Sequence, residues 1–371
     1  MNLRAGLIGL GAMGRNHARV LSELAGVELA GVLDPAASSG RAARGAPVVK
    51  TLPELLALGI DYAVVACPTA LHEEIGLRLA DAGICTLIEK PLAHSVQAAA
   101  RLVAAFEAAG LVAAVGHIER YNPALQSLRA RLEAGALGEV FQVVTRRQGP
   151  FPHRISDVGV VMDLATHDID LTSWVTGQEY VSVSARTVSK SGRPHEDMVA
   201  VVGQLAGGVM VSHLVNWLSP LKERSTVVTG ELGCFVADTL TADLTFYANG
   251  AWDTEWEALR AFRGVSEGDM IRYAIPKREP LLVEHERFRD AVLAGAGQVA
   301  GQIQGADEAA DEAAGDAAGA AAGAGDVVTL RQGLRAAEVS TAVLESAERG
   351  VTVAVPPPGA AIDGTQEVLH V

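Results

Sequence analysis

The stretch LRAGLIGLGAMGRNHARV, residues 3–20, joins a short apolar run to a helical pattern through a glycine-rich turn. Its glycines Gly9, Gly11 and Gly14 have the spacing GxGxxG directly after the apolar run. In a strand–turn–helix setting the first glycine permits a tight turn, the second lets a pyrophosphate approach the backbone, and the third lets helix pack on strand. The pattern therefore predicts a dinucleotide site facing a helix N-terminus, although the same glycines could serve a tight turn alone.

An acidic residue ends the next apolar run. Asp34 follows Gly14 by about 20 residues, the offset expected for an acid that binds the adenosine ribose. Its carboxylate would accept hydrogen bonds from both ribose hydroxyls and repel a 2′-phosphate, by roughly 4 kcal/mol at 4 Å and an effective dielectric constant of about 20. The sequence therefore favours NAD over NADP. Arg41 and Arg44 follow closely and either soften this preference or form a solvated helix face.

Short β-branched runs alternate with alanine-rich helical patterns as far as residue 116. This alternation predicts βαβ units and a parallel sheet covered by helices on both faces. We expect a doubly wound α/β domain over residues 1–118. The expected strands are residues 3–9, 27–34, 46–50, 61–67, 85–89 and 111–117.

The rhythm changes after residue 118. Helical patterns at 123–135 and 161–177 flank a strand pattern at 139–148, and alternating runs follow. These later runs are residues 180–189, 198–217, 224–238 and 242–248. They predict a mainly antiparallel sheet, and we assign residues 119–371 to an α+β domain.

A low-complexity segment interrupts the second domain. Residues 298–326 contain 12 Ala and 6 Gly, with acidic residues as the other main component. We expect a flexible surface insertion there, because loop-closure cost grows slowly with length. A closing helix over 330–350 follows, with Gly350 as its C-cap.

Composition excludes several classes of protein. The net charge of −14 argues against a general nucleic-acid surface, since phosphates are bound by clustered Lys and Arg. Cys67, Cys85 and Cys234 have no CxxC spacing, which favours a reducing cytoplasm. The start of the chain lacks a signal-peptide core, and the apolar run 199–215 is interrupted by polar residues and reads as a hairpin. We therefore expect a cytoplasmic protein with no membrane partner.

The stretch TLIEKPLAHS, residues 86–95, ends an apolar run on Glu89 and Lys90, directly before Pro91. Proline restrains the preceding residue to extended conformations, so Lys90 should lie at a strand tip. Ligand crevices lie at the carboxyl ends of parallel strands, which places Lys90 at the nicotinamide end, where it can steer or take a hydroxyl proton. The alternative is an ordinary strand-end lysine in water.

A second set of candidate residues lies in DVGVVMDLATHDIDLTSW. Asp163 and His167 are four positions apart, so on a helix they share a face and the carboxylate can orient the imidazole for acid–base chemistry. A satisfied core Asp/His pair is the main alternative. A metal site would need a third ligand that the sequence does not supply. Asp170 and Trp174 continue the stripe and are expected to hold the helix against its neighbours.

Weaker signals surround these motifs. His72 begins the helix after the fourth strand, where it either contacts the cofactor or caps the turn, and Cys67 before Pro68 should line that loop. A cationic cluster in TRRQGPFPHR could clamp a substrate diphosphate, although neighbouring strand positions face opposite ways. Its members are Arg146, Arg147, His153 and Arg154.

Three landmarks in order, GLGAMG at 9–14, EKP at 89–91 and DLATHDID at 163–170, resemble the Gfo/Idh/MocA family of glucose-fructose oxidoreductase and inositol dehydrogenase relatives. The resemblance covers nearly the whole chain. It implies an N-terminal Rossmann domain, a C-terminal domain with a large open sheet often used for oligomerisation, and NAD(P)-dependent oxidation or reduction of a sugar or cyclitol. It also implies that the catalytic group is Lys90, Asp163 and His167.

A narrower similarity lies in PTALHEE, VGHIERYNPAL, GPFPHRISDVGVVMDLATHDID and HLVNWLSP. These segments look like the branch of the family that contains UDP-N-acetylglucosamine 3-dehydrogenases. The resemblance thus implies a sugar-nucleotide substrate and a homodimer or homotetramer built through the C-terminal sheet. The alternatives are a dehydrogenase of a free sugar or cyclitol and an NAD-binding sensor, although a sensor would need none of the three catalytic positions.

The resemblance and the motifs together give a full set of expected site residues, with no metal ligand among them. The residues expected to bind NAD are Gly9, Gly11, Ala12, Met13, Gly14, Asp34, Cys67, Pro68, Thr69, His72, Glu89 and Lys90. The residues expected to bind substrate are Lys90, Arg120, Asn122, Arg154, Asp163 and His167.

Overall fold

The computed structural model describes residues 2–37, 45–151, 158–250, 267–305 and 327–359. The chain divides into two compact units, the first formed by Met1–Ile118 with Leu281–Leu334 and the second by Glu119–Pro280 with Arg335–Val371. The division at residue 118 coincides with the predicted domain boundary.

The sequence assigned residues 119–371 to the second domain, but segment Leu281–Leu334 belongs to the first unit. Its side chains Phe288 and Val292 are buried in the core of the first unit, and Phe288 packs edge-on against Tyr62. An apolar helical stripe in the sequence does not indicate which sheet the helix covers. Periodicity therefore could not predict that this segment packs in the first unit.

A parallel six-stranded sheet in the order β3-β2-β1-β4-β5-β6 forms the centre of the first unit. Its strands are β1 (Leu3–Ile8), β2 (Val27–Leu33), β3 (Val48–Val49), β4 (Tyr62–Val65), β5 (Cys85–Glu89) and β6 (Ala113–Gly116). The intervening helices are α1 (Ala12–Glu23), α2 (Leu52–Leu56), α3 (His72–Asp81) and α4 (Val96–Ala108). This architecture confirms the predicted doubly wound α/β fold.

The local sequence explains these elements. All four residues of β4 are buried, as expected for a central parallel strand with helices on both faces. Helix α4 begins at a side-chain cap, since the Ser95 hydroxyl accepts the backbone N–H of Ala98, and α2 begins in the same way at Thr51. These caps fix the residues at which the two helices begin.

Helix α7 (Pro280–Gly305) extends into the segment predicted to be a flexible insertion. Residues 298–305 are helical, which corrects that part of the prediction. Alanine is the best helix former, so an alanine-rich segment continues a helix that is anchored by its preceding turns. Residues 306–326 lie outside the described part of the chain.

A nine-stranded sheet in the order β14-β13-β12-β11-β7-β10-β9-β8-β15 forms the second unit. Its strands are β7 (Val140–Pro150), β8 (Tyr180–Val188), β9 (Met198–Leu205), β10 (Met210–Asn216), β11 (Leu218–Gly230), β12 (Gly233–Asp238), β13 (Asp243–Asn249), β14 (Glu267–Arg272) and β15 (Val353–Ala354). All neighbouring strands run antiparallel except β7 and β10, which pair in parallel. The predicted α+β domain with a large, mainly antiparallel sheet is confirmed.

Helices cover one face of this sheet. They are α5 (Pro123–Glu133), a π-helical turn (Val161–Ala165) that leads into α6 (Thr166–Thr176), and α8 (Leu330–Arg349) from Arg335 onward. Their apolar side chains share one core with alternate residues of the strands, for example Val201 on β9 and Val211 on β10. The predicted closing helix ends as expected, since Gly350 after α8 has a left-handed φ of 71°.

No helix in the described ranges has both the length and the apolar character that crossing a bilayer would require.

Candidate active site

The glycine-rich turn between β1 and α1 has the geometry that a pyrophosphate needs. Gly9 has φ +96°, and a Cβ there would lie 2.7 Å from the carbonyl oxygen of Ala66. A Cβ on Gly14 would lie 2.0 Å from the Gly9 oxygen, whereas one on Gly11 would meet nothing within 4 Å. Gly11 is the N-cap of α1 and offers no side-chain cap, so the first N–H groups of the helix, which begins at Ala12 and Met13, remain available to an anion.

Asp34 connects this turn to the loop after β2. Its Oδ2 accepts the backbone N–H of Leu10 at 2.7 Å, and its Oδ1 accepts those of Ala36 at 2.8 Å and Ala37 at 3.0 Å. An ionised carboxylate has about four acceptor positions, so it retains capacity for ribose hydroxyls. The three backbone hydrogen bonds fix the orientation of the carboxylate and therefore of its remaining acceptor positions.

Lys50 organises the same loop, a role that the sequence reasoning missed. Its ammonium donates to the carbonyl oxygens of Asp34 at 3.3 Å and Pro35 at 3.2 Å, and also to that of Ala37. The three donors of an ammonium thus meet three acceptors on one turn. Lys50 follows β3, whereas the loop that it contacts follows β2. No local sequence pattern therefore indicated this contact. Arg41 and Arg44 lie outside the described residues.

The turn after β4 is tied to the tip of β5 through His72. The imidazole Nδ1 lies 3.0 Å from the Pro91 carbonyl oxygen, and Nε2 lies 3.0 Å from that of Cys67. Burial lowers the pKa of His72, and burial also raises the pKa of the Cys67 thiol to about 12. His72 therefore bridges two loops as a buried side chain, while the exposed Pro68 and the half-buried Thr69 lie between it and Cys67 in the chain.

Lys90 directly follows the last residue of β5. Its backbone N–H donates to Oε2 of Glu89 at 3.1 Å, its side chain is half-buried, and the Lys90–Pro91 peptide bond is cis. Strand β4 lies between β1 and β5, and all three run parallel. Lys90 and the glycine-rich turn therefore follow carboxyl ends at the same edge of the sheet, where open α/β sheets bind their ligands.

A buried polar cluster lies behind this tip. His17 of α1 places Nε2 2.9 Å from Oε1 of Glu89, and its Nδ1 lies 2.8 Å from Nε2 of His285 on α7. We call these three residues the Glu89 relay. Sequence reasoning missed His17 and His285, because one histidine looked like an ordinary helical residue and the other is 268 positions away in the chain.

In the second unit, Asp163 and His167 lie on one continuous helical segment. Asp163 belongs to the π-helical turn and His167 to the first turn of α6, with exposed fractions of 4% and 7%. The predicted helix over 161–177 thus begins with a π turn, a rare form that occurs frequently at functional sites. Asp163 and His167 therefore lie four positions apart on neighbouring helical turns.

A buried charged network includes Asp168 of this segment. Arg147 Nη1 lies 2.7 Å from Oε1 of Glu119 and its Nε lies 2.9 Å from Oδ2 of Asp168, while Arg224 also reaches Glu119 at 3.1 Å. Burial alone would raise the pKa of Glu119, but Arg147 and Arg224 hold it below its ordinary value. The guanidinium of Arg147 is therefore committed to buried carboxylates, so the predicted diphosphate clamp loses this residue.

Of the remaining residues of the predicted clamp, Arg146 lies as the alternation of strand side chains predicts. Arg146 is exposed on the opposite face of β7 from Arg147. His153 and Arg154 lie outside the described residues, so the structure does not place them.

Two residues expected to bind substrate have structural partners. Arg120 forms a two-pronged pair with Asp170, at 2.8 Å from Nε and 2.6 Å from Nη2, and its guanidinium lies 5.9 Å from the Trp174 ring centroid. Asn122 caps α5 through its Oδ1 and donates its amide to the Thr239 carbonyl oxygen at 3.0 Å. Asp170 and Trp174 hold α6 against its neighbour, as the sequence predicted.

The described residues contain no group of three or more His, Cys, Asp or Glu side chains arranged to ligate a metal ion.

Comparison with known protein families finds two matches that follow the two units. Residues 3–117 match the oxidoreductase family with an NAD-binding Rossmann fold, and residues 125–236 match the GFO/IDH/MocA C-terminal domain. The site motifs at Gly9–Gly14 and Lys90 fall in the first match, and Asp163 and His167 fall in the second.

Two relatives show how far the similarity extends. The chain is 35% identical to UDP-N-acetylglucosamine 3-dehydrogenase of Acidithiobacillus ferrooxidans over 296 residues, which are 79% of this chain and 90% of that enzyme. It is 32% identical to inositol 2-dehydrogenase 2 of Saccharopolyspora erythraea over 222 residues, 57% of this chain and 66% of that enzyme.

Solved structures agree in fold. That of UDP-N-acetylglucosamine 3-dehydrogenase from A. ferrooxidans superposes with a TM-score of 0.72 at 26% identity, covering 94% of this chain and 99% of the other. The WlbA dehydrogenase of Bordetella pertussis, solved with NADH and UDP-GlcNAcA, gives a TM-score of 0.70 at 24% identity, covering 96% and 100%. The second likeness concerns the fold alone.

Proposed function

The chain belongs to the Gfo/Idh/MocA family of oxidoreductases, and we propose that within this family it oxidises a ring hydroxyl of a sugar nucleotide, with carbon 3 of UDP-N-acetylglucosamine as the position of reaction. Family membership makes it a dehydrogenase that acts on hydroxyl groups and carries an NAD-binding Rossmann fold. The observation that carries the substrate proposal is the match to the Acidithiobacillus enzyme, which spans 90% of that enzyme's length.

The residues at the carboxyl edge of the first sheet fit NAD. The open space at Gly11 and the uncapped start of α1 would hold the pyrophosphate, and Asp34 would hold the adenosine ribose. When bound, NAD supplies an acceptor for the hydride that leaves the substrate carbon. Asp34 disfavours a 2′-phosphate by charge repulsion, so we propose NAD over NADP as the cofactor.

Three side chains would supply the acid–base chemistry. In this proposal an imidazole nitrogen of His167 takes the hydroxyl proton, the Asp163 carboxylate orients the imidazole, and Nζ of Lys90 stabilises the charge that develops on the substrate oxygen. The exchanged assignment, with Lys90 Nζ as the base and His167 as the stabilising donor, uses the same three residues. The burial of Asp163 and His167 supports either version, because hydrogen bonds are electrostatically stronger in a water-poor surrounding.

A second candidate substrate is a free sugar or cyclitol. The 32% identity to an inositol 2-dehydrogenase favours it, and the loss of Arg147 from the predicted diphosphate clamp removes one argument for a nucleotide. Arg154 then remains the main candidate for contact with a diphosphate, together with Arg146.

The test is NADH formation, followed by near-ultraviolet absorbance, with the purified protein, NAD and a panel of UDP-sugars, free sugars and inositols. Turnover with UDP-N-acetylglucosamine and not with N-acetylglucosamine supports the sugar-nucleotide proposal. Turnover with inositol or free glucose alone would replace it with the second candidate. The Arg154→Gln variant adds a check, since a rise in KM for the UDP-sugar alone would indicate diphosphate recognition.

We also propose that the large sheet joins copies of the chain into a homodimer or homotetramer. A row of neighbouring residues crosses five central strands on the face opposite the helices: Val202, Ser212, Val144, Val227 and Val236. Val202 is 51% exposed, and the others are half-buried. A partly exposed, mainly apolar row of this kind is consistent with an interaction surface, which supports association through this face.

A further inference from the structure

The Glu89 relay has a defined direction of hydrogen bonding. A carboxylate only accepts, so the Nε2 atom of His17 carries the proton it shares with Glu89 Oε1. In a neutral His17 the Nδ1 atom is then an acceptor, and the proton between the two rings comes from Nε2 of His285. This assignment follows from the hydrogen-bond network and not from observed hydrogens. His285 thus donates to His17, and His17 donates to Glu89.

The relay is fully enclosed. His17 and His285 are each 0% exposed, and Glu89 is 6% exposed. The three residues come from α1, α7 and the end of β5, so the histidines cannot turn away without disturbing the packing of two helices. The carboxylate of Glu89 also receives the backbone N–H of Lys90 on its second oxygen, at 3.1 Å. Both carboxylate oxygens therefore have donors.

These donors favour the ionised form of Glu89. Burial alone would raise the pKa of this carboxyl, but the hydrogen bond from His17, together with the nearby Lys90, holds the pKa below its ordinary value. The other titratable groups that interact with Glu89 are His72 and Glu284. Burial lowers the pKa of His72, and burial, with the charge of Glu89, raises that of Glu284. Both shifts favour the uncharged forms of these two groups, so neither group offsets the charge of Glu89.

With NAD bound as proposed, this carboxylate would be on the nicotinamide side of the site. Glu89 is the last residue of β5, and Lys90 follows it at the carboxyl edge of the sheet. The glycine-rich turn follows β1 at the same edge. The nicotinamide ring is cationic when oxidised and neutral when reduced. A fixed negative charge near it therefore acts on one redox form and hardly on the other.

We propose that Glu89 selects the oxidised cofactor through its charge, and that His17 and His285 are positioning residues that keep this carboxylate ionised and fixed. This inference rests on the proposed function, because it needs NAD bound at the carboxyl edge of the first sheet. It deepens that function by assigning the cofactor's redox preference to a buried network. It also gives α7 a role in cofactor binding, although this helix lies far from the glycine-rich motif in sequence.

The experiment is calorimetric titration of the intact protein with NAD and separately with NADH. The variants are Glu89→Gln, which keeps the shape and removes the charge, and His17→Gln and His285→Gln, which weaken the relay. Glu28→Gln is the matched control, since Glu28 is an exposed acid paired with Arg4 at the opposite, amino-terminal end of the sheet. Circular dichroism and thermal unfolding of each variant verify the folded state.

We expect Glu89→Gln to weaken binding of NAD about tenfold more than binding of NADH, since one charge–charge attraction is lost for one form only. The histidine variants should shift the ratio in the same direction by a smaller factor, and Glu28→Gln should leave it unchanged. An equal loss of affinity for both forms, or no change in the ratio in any folded relay variant, would overturn the proposal. If Glu89→Gln does not fold, the two histidine variants decide by the same ratio.

These outcomes are separate from a failure of the proposed function. If the unaltered protein bound neither NAD nor NADH, the cofactor assignment would be wrong and this inference would fall with it. Tight binding of both forms with an unchanged ratio in the variants would leave the cofactor assignment intact and refute only the role of the relay.

Discussion

Asp34 accepts the backbone N–H of Leu10 at 2.7 Å, so the acid that ends β2 is bonded directly to the glycine-rich turn that ends β1. The two parts of the predicted dinucleotide site are thus one hydrogen-bonded unit. The ammonium of Lys50 holds the following loop from the other side. If Asp34 holds the adenosine ribose as proposed, the choice between NAD and NADP depends on its charge and also on the shape of its loop.

Replacing Asp34 with Asn should reduce the preference for NAD over NADP by roughly tenfold to a thousandfold. The substitution removes the negative charge that repels a 2′-phosphate, and the Coulomb energy at close range sets the upper limit. The measurement is the ratio of kcat/KM for the two cofactors. An unchanged ratio would show that Asp34 does not face the ribose.

Replacing Lys50 with Met should raise KM for NAD severalfold while leaving the NAD-to-NADP preference on the side of NAD. The variant removes donors to carbonyl oxygens of the loop and keeps the carboxylate of Asp34. Steady-state kinetics with both cofactors tests this. A switch to NADP would instead mean that Lys50 acts on the ribose phosphate directly.

Replacing Arg147 with Met should destabilise the second unit by about 3–5 kcal/mol, because it leaves Glu119 and Asp168 buried without their shared partner. Arg146→Met is the matched control. Arg146 lies next in sequence but is exposed on the other face of β7, so its loss should cost less than about 0.5 kcal/mol. Urea unfolding of both variants measures the difference, and similar stabilities would contradict the assigned network.

Glu284 should make the protein less stable as pH rises from acid toward neutral. Its side chain is buried, neither carboxylate oxygen has a hydrogen-bond partner among the described residues, and burial raises its pKa. The folded state therefore keeps a proton that the unfolded state releases above about pH 4.3, so stability falls with pH by at most about 1.4 kcal/mol per pH unit until the pH passes the folded-state pKa.

The Glu284→Gln variant cannot titrate at this position, so its stability should lack this slope and exceed that of the unaltered protein at neutral pH. Thermal unfolding at a series of pH values measures the effect. Glu348→Gln, at an exposed position on α8, serves as control and should keep the slope. Parallel pH curves for the Glu284→Gln variant and the unaltered protein would show that Glu284 is ionised in the folded state.

Replacing Val202 with Glu should weaken association of the chain. Val202 is 51% exposed on the open face of the large sheet, so a charge there would disfavour the proposed interface without entering the core. Light scattering after size-exclusion chromatography should show smaller particles at equal concentration. Leu293→Glu, an equally apolar change at a 49% exposed site on α7, should not alter the particle size. An unchanged assembly in the Val202 variant would locate the contact elsewhere.

Much of the fold could be predicted because its signals are local. The glycine spacing, the runs that end at Asp34 and Lys90, and the alternating patterns after residue 118 each depend on neighbouring residues only. Periods of two and 3.6 residues then assign strands and helices. The family resemblance joined these local signals into one chemical hypothesis.

What the sequence did not provide depends on contacts between distant residues. His17 meets His285 across 268 positions, and no spacing rule connects them. Arg147 looked like a substrate clamp because its carboxylate partners, Glu119 and Asp168, lie 28 and 21 positions away in separate elements. Likewise, α7 packs in the first unit because Phe288 is buried in the core of that unit. Such pairings are properties of the folded packing.

The most direct test of the central claim is single-turnover hydride transfer by Lys90→Ala and His167→Ala proteins, with NAD binding measured on the same samples. We predict that both variants bind NAD with nearly normal affinity and reduce it roughly 10²- to 10⁴-fold more slowly, since positioned acid–base groups contribute that much. Normal hydride transfer in either folded, NAD-bound variant would contradict the assignment of that residue to the chemistry.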